Sequence, residues 1–216
     1  PQCKRDDYHA ALSDVANGAW CPCPSLQVKF STHPRAEYWN HDRNGDLKPA
    51  DVALLDARTR LEAWAAAFDH HDAVRAVEVP DVVRAAAPLL RDRLKELAAH
   101  PSSRLVHWDI RADNLILRPS GEVVAIDWGQ AGLGPGWLDP LLARLDRAGD
   151  AWFDDAVLSP SLGDLDADDV TSFVAGLGLL LGWRATMHAD SGPAGLQEFR
   201  ITEARRLLAG ARRRLS

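Results

Sequence analysis

LVHWDIRADNLIL, residues 105–117, is the stretch on which the reading of this chain turns. Apolar residues stand at both ends, and the centre holds His107, Asp109, Arg111, Asp113 and Asn114. A buried strand does not carry that many charged and amide groups in its middle. The pattern therefore predicts strand, polar loop, strand. Leu105-Val106 is the incoming strand, and Asn114–Leu117 is the outgoing one. Residues 118–122 follow as a turn cluster with Pro119 and Gly121, residues that favour turns. Val123–Ile126 returns as the partner strand and ends at Asp127-Trp128-Gly129.

This hairpin has a chemical consequence. In an antiparallel pair the start of one strand lies beside the end of the other. Asn114 and Asp127 are thus expected as neighbours, with Asp109 close by. Two carboxylates and an amide carbonyl then meet at one mouth. Hard oxygen ligands of this kind suit Mg²⁺, which takes one or two carboxylates and fills its shell with water and phosphate oxygens. Without a cation, two adjacent carboxylates would repel each other.

Working outward, the rest of the chain reads as mostly helical. Val52, Leu55, Leu61, Trp64, Ala65 and Phe68 fall mainly on one face of a helix expected from Pro49. A second helix is expected from about Pro88, with Leu89, Leu90, Leu94, Leu97 and Ala98 inward. His70 and His71 sit in a polar link between the two and read as solvated. Beyond the Gly/Pro-rich loop 129–140, helices are predicted over 137–148, 167–188 and 193–214. Asp166 to Asp169 look like an acidic helix start, and the arginines at 205, 206 and 212–214 like charge that complements a helix end. Residues 1–48 are irregular, apart from a strand-like run at Leu26–Phe30 and turn material in HDRNGD, 41–46. The domain reading is thus 1–48, an irregular or remnant segment, and 49–216, the catalytic and substrate-binding lobe.

Bulk properties narrow the function classes. The 216 residues carry a net charge of −6, which argues against a nucleic-acid partner, since such proteins present a basic face. The odd set Cys3, Cys21 and Cys23 lacks the spacing of a metal or redox motif. The longest apolar run, Phe173 to Trp183, is short for a bilayer span, and no signal peptide is visible at the start. A cytoplasmic protein with no membrane partner is the expectation. Oligomeric state is not legible.

The segments His107-Trp-Asp109-Ile-Arg-Ala-Asp-Asn114 and Asp127-Trp-Gly129 match the H-x-D-x-x-x-x-N and D-x-G elements of the protein-kinase signature. With GWLDP, 136–140, the catalytic stretch resembles the aminoglycoside phosphotransferase family, small-molecule kinases of the protein-kinase-like fold. The resemblance covers roughly residues 50–216. It implies an α+β fold: a kinase-like C-terminal lobe, mostly helical, with a small catalytic β-hairpin. It implies ATP and Mg²⁺ as cofactors and transfer of the γ-phosphate to a hydroxyl of a small molecule, with an aminoglycoside or other amino-alcohol among the candidates. Under it, Asp109 is the catalytic base. Arg111 is a second catalytic residue, facing the transferring phosphoryl group or, equally, pairing with Asp113 or Asp127. Asn114 and Asp127 bind the metal and the nucleotide. Asp139 braces the catalytic loop or caps a helix, and His107 supports the loop.

One part of a kinase is missing from the pattern. No Gly-rich loop stands in residues 1–48, and only Lys29, followed by Glu37, mimics the strand lysine and helix glutamate. Five strands, a helix and their connections need roughly 60 residues; 48 precede Pro49. A shortened or absent N-terminal lobe is expected, and the chain, which does not begin with Met, reads as truncated or divergent. The competing function is an inactive, truncated kinase-like remnant, a pseudokinase acting as a binding module. Acidic side chains at 154, 155, 198 and 203 are candidates to receive an amino-sugar, or are simply solvated.

Overall fold

The computed structural model describes residues 57–100, 104–111, 114–118, 122–156, 162, 165–188, 193 and 195–216, and four short strands before them. Those strands are β1 (Gln27–Val28), β2 (Trp39–His41), β3 (Leu47–Pro49) and β4 (Leu55–Asp56). The helices are α1 (Ala57–Ala66), α2 (Asp81–Ala98), α3 (Leu138–Leu142), α4 (Ala151–Ala156), α5 (Ala167–Met187) and α6 (Leu196–Leu215). Between α2 and α3 lie β5 (Arg104–Val106), β6 (Leu115–Leu117), β7 (Glu122–Ala125) and β8 (Gly132–Gly134). The class is α+β, mostly helical with small sheets.

The expected hairpin is present. β6 and β7 pair antiparallel with Leu115 opposite Ala125, and β1 adds to β7 in parallel. A second sheet orders β4-β8-β5, and β2–β3 is a separate antiparallel pair. The loop 129–140 was expected to be irregular, yet Gly132–Gly134 is a strand, with β5 antiparallel on one side and β4 parallel on the other. Its glycines hid the strand, because they weaken strand propensity and are chosen here for close approach. A Cβ at Gly134 would lie 2.8 Å from Val106 Cγ2.

Two helix starts differ from expectation. The first helix begins at Ala57, not Pro49: Pro49 closes β3 and Leu55 lies in β4, so sheet pairing takes residues that the helical pattern claimed. The second begins at Asp81 and runs through Pro88. Pro80 precedes the first turn, while Pro88 gives up one helical bond on an exposed face. Leu89, expected inward, is 73% exposed, whereas Leu90, Leu94 and Leu97 are buried. The segment expected over 137–148 splits into α3 and a 3₁₀ turn at Leu145–Arg147, and α4 was not foreseen. Cys3, Cys21, Cys23, Lys29 and Glu37 lie outside the described residues.

The core forms around α5, whose Phe173, Val174, Ala175 and Leu179 are fully buried. Its 21 residues are long and apolar enough to cross a bilayer, contrary to the shorter run seen in the sequence, but 67% of its apolar window is buried inside the protein. α1, α2 and α6 cover it, which accounts for apolar residues all around it. Asp166 caps α5 and exchanges bonds with Asp169: Asp169 N–H donates to Asp166 Oδ1 (2.8 Å) and Asp166 N–H to Asp169 Oδ2 (3.0 Å). Arg93 of α2 binds both carboxylates, joining the two helices.

The C-terminal arginines do more than offset a helix dipole. Arg213 donates to the carbonyls of Ala148, Gly149 and Asp150 and pairs with Asp154 at 2.7 Å. Arg214 pairs with the same carboxylate at 2.9 Å and bonds Ala167 O. α6 is thereby tied to the segment leading into α4. It comes so close to the backbone at Ala148 that Gly210 has no room for a Cβ.

Candidate active site

The polar loop starts from a buried anchor. β5 delivers Val106 and His107 into the interior, both almost without solvent contact. Two backbone N–H groups there have no strand partner, and Asp139 of α3 takes both. His107 N–H donates to Asp139 Oδ2 (2.7 Å) and Trp108 N–H to Oδ1 (3.1 Å). Burial raises the Asp139 pKa above the ordinary carboxyl value, and the two N–H donors and the nearby His107 pull partly against that shift. Asp139 lies inside the first turn of α3, and that helix's N-cap is Trp137. Of the two roles open to Asp139, loop bracing is therefore the one it fills.

Trp108 takes φ 68°, the left-handed region, unfavourable for a bulky residue. Tertiary packing holds it there. Its ring meets Trp64 edge-on at 5.7 Å, and Trp64 in turn packs on Phe173 of α5 at 5.0 Å. This turn at Trp108 separates the buried His107 from the partly exposed Asp109. His107 closes the frame from the other side. Asp109 N–H donates to His107 Nδ1 (3.3 Å), so the ring hydrogen sits on Nε2, which donates to Ile126 O (2.7 Å). His107 thus spans from the loop to the end of β7.

Asp109 and Asn114 are brought into direct contact. Asn114 Nδ2 donates to Asp109 O (2.8 Å) and to Asp109 Oδ2 (2.9 Å). Both partners only accept, so the amide orientation is fixed, and its carbonyl Oδ1 is the atom left for a ligand. Asn114 is buried. Its carbonyl accepts from Ile126 N–H at 2.9 Å, so the ladder extends one residue past the strands and sets Asp127 next to that junction. Asp127 also takes a left-handed backbone, φ 59°, and its side chain is exposed. Its Oδ1 lies 3.4 Å from where a Cβ on Gly129 would stand. Arg111 is half-exposed, with Nε 3.5 Å from Asp109 Oδ1 and its guanidinium 5.9 Å from the Phe199 ring of α6. Asp113 and the Trp128 side chain lie outside the described residues.

This donor set fits a hard divalent cation: an amide oxygen at Asn114 and carboxylates at Asp127 and Asp109, all on one edge of the hairpin. Among the described residues no group of three or more His, Cys, Asp or Glu side chains forms another candidate.

Other expectations resolve differently. Asp154 is committed to Arg213 and Arg214. Burial raises its pKa, but the hydrogen bonds and charges of the two arginines together prevail and hold it below the ordinary value. Glu203 pairs with Arg206, and Glu198 is exposed. The Asp155 side chain is outside the described residues. His70, expected to be solvated, is exposed but stacks on Trp183 with ring centroids 5.0 Å apart.

Arg60 was missed in the sequence. Its guanidinium lies 4.8 Å from the Trp108 ring and donates to Gln130 Oε1 at 2.7 Å, linking α1 to both flanks of the site. No local pattern marks it, because its partners are 48 and 70 residues away in the chain (108 − 60; 130 − 60).

A family model described as APH, phosphotransferase enzyme family, matches residues 41–169, more than half of the chain and all of the site above. No curated protein and no solved structure matches.

Proposed function

The chain belongs to the APH phosphotransferase enzyme family, and from that membership we propose that it transfers the γ-phosphate of ATP to a hydroxyl of a small molecule, with Asp109 as the proton acceptor. The observation that carries this reading is the Asp109–Asn114 contact within a loop braced by Asp139 and His107.

Each residue has a task in this reading. Asp109 accepts the proton of the acceptor hydroxyl as its oxygen attacks phosphorus. The Asn114 amide holds that carboxylate and keeps the second oxygen, Oδ1, on the Arg111 side. Arg111 stabilises negative charge on the transferring group. Asn114 and Asp127 would hold Mg²⁺. The cation, when bound, neutralises charge on the nucleotide phosphates. Ile116, Leu117 and Ile126, apolar yet exposed beside the metal residues, offer a surface for the purine ring. The acceptor is a small molecule, and the reaction belongs to the cytoplasm, where ATP is available.

Asp109→Asn tests the assignment. It removes the base while keeping shape and a hydrogen-bonding oxygen. General-base catalysis contributes about 10²–10⁴-fold, so Mg-ATP-dependent phosphorylation should fall by at least that lower bound with the melting temperature little changed. Unchanged turnover would remove Asp109 from the mechanism. The inert-remnant reading is separated by calorimetry: it predicts no heat on titration with Mg-ATP, whereas the enzyme reading predicts binding that Asp127→Ala abolishes.

A further inference from the structure

Four guanidinium groups gather around the loop that carries Asp109. Arg111 lies against Asp109 and reaches the Phe199 ring of α6. Arg200, the next residue on α6, has a buried Nη1 with no hydrogen-bond partner. Arg184 of α5 stands close enough to Arg200 to be repelled by it, and Arg60 of α1 close enough to Arg184. Arg60 then returns to the loop through its contact with the Trp108 ring. The set closes a ring about the proposed base, built from α1, α5, α6 and the loop.

The charges in this ring are poorly balanced. Loss of hydration comes first in lowering the pKa of both Arg60 and Arg184, and repulsion from Arg184 and Arg200 respectively adds to it; for Arg60 the Asp109 carboxylate opposes the shift. Among the described residues no carboxylate forms a salt bridge with Arg60, Arg184 or Arg200. Elsewhere the protein pairs its arginines readily: Arg93, Arg206, Arg213 and Arg214 all hold carboxylates. Like charges held together without a counter-charge favour an anion, and guanidinium groups bind carboxylate or phosphate through charge-assisted hydrogen bonds.

We propose that Arg60, Arg184 and Arg200 form an anion-binding subsite beside Asp109, and that the hydroxyl acceptor therefore carries a carboxylate or phosphate group. This rests on the reading of Asp109 as the proton acceptor. The contacts that tie the cluster to the loop run through Arg111 and Trp108, the neighbours of Asp109, apart from the Arg60–Gln130 bond. That places the subsite on the acceptor side. A polycationic amino-sugar would add positive charge to a region that already repels itself.

Six-carbon polyols that differ mainly in charge provide the test: D-gluconate and D-glucose 6-phosphate as anions, D-glucitol as neutral, D-glucosamine as cation. Binding to the full chain is measured by calorimetry, with and without saturating Mg-ATP, for wild type, Arg184→Gln and Arg200→Gln. The expected result is at least tenfold tighter binding of one or both anions than of glucitol or glucosamine. Each variant should lose that preference at least tenfold while binding Mg-ATP as the wild type does. Gluconate alone binding identifies a carboxylate acceptor, and glucose 6-phosphate alone a phosphorylated one. Equal binding of the cation, no anion binding, or anion preference unchanged in both variants would overturn the subsite. So would loss of anion binding on addition of Mg-ATP, since the cluster would then hold the donor's phosphates. Both variants relieve repulsion, so unaltered melting is expected, and it is checked alongside. Turnover that ignores acceptor charge would refute the subsite and leave phosphotransfer standing. Anion binding with no turnover of any acceptor would do the reverse.

Discussion

Asp139→Ala probes the frame on which the site depends. The carboxylate accepts two buried N–H groups, from His107 at 2.7 Å and Trp108 at 3.1 Å. Truncation leaves both donors without an acceptor in a region where His107 is fully buried and Trp108 nearly so. Each orphaned donor costs about 1–3 kcal/mol, or roughly 2–6 together. Removing a buried carboxylate, whose raised pKa marks a penalty on its charged form, offsets part of this. A net loss of about 2–4 kcal/mol is expected, a large share of a typical stability of about 5–15. Asp139→Asn keeps one accepting oxygen and should lose about half as much. Urea unfolding followed by the fluorescence of the eight tryptophans reads this directly. At roughly 2 kcal/mol per molar for the slope, the midpoint for Asp139→Ala should drop by about 1–2 M. Activity should fall further than stability, because Trp108 is no longer held at φ 68° and Asp109 follows it. The pH response has a defined sign. A carboxyl whose folded pKa is raised adds stability as pH falls through that value toward the ordinary one near ~3.9. The gap between wild type and Asp139→Asn should therefore widen on mild acidification. A loss below about 0.5 kcal/mol for Asp139→Ala, within the range of an ordinary surface change, or an Asn variant weaker than the Ala one, would refute the bracing argument.

Three further outcomes are expected. Pro88→Ala restores a donor and removes ring strain within α2, so it should stabilise the protein by about 1–3 kcal/mol; a lower denaturation midpoint would count against the helix running through that residue. Gly210→Ala is favoured by helix propensity, yet its Cβ meets the Ala148 carbonyl. A net loss of about 1–3 kcal/mol by thermal unfolding is expected, and a gain would mean α6 sits farther out. Asp154, held below the ordinary carboxyl value by Arg213 and Arg214, contributes stability above pH ~3.9 that is lost as pH falls through its lower folded value. Asp154→Asn should be less stable at neutral pH and flatter in acid, and a parallel pH profile would show that the pair contributes nothing.

The sequence alone carried the local logic of the site. A change from helical spacing to two short apolar runs, with turn residues between them, is enough to predict the β6–β7 hairpin, because strand pairing follows from adjacent segments joined by a tight turn. The spacing of Asp109, Asn114 and Asp127 then follows from antiparallel geometry. The capped start at Asp166 was legible too, since a helix terminus is satisfied by side chains within one turn. Strands that pair across long separations were not legible. Leu55–Asp56 joins β8 although nearly eighty residues lie between them (132 − 55 = 77), and nothing in either segment alone announces the other. The same holds for charge. Arg60, Arg184 and Arg200 look in sequence like ordinary solvated helix residues, as do Arg213 and Arg214. Tertiary packing makes the last two structural, by setting them against Asp154 and three backbone carbonyls, and leaves the first three crowded beside a catalytic loop. Covalent neighbours dictate the hairpin and its oxygen ligands, whereas the field around Asp109 is set by how α1, α5 and α6 meet, and electrostatic energy depends on distance through space rather than along the chain.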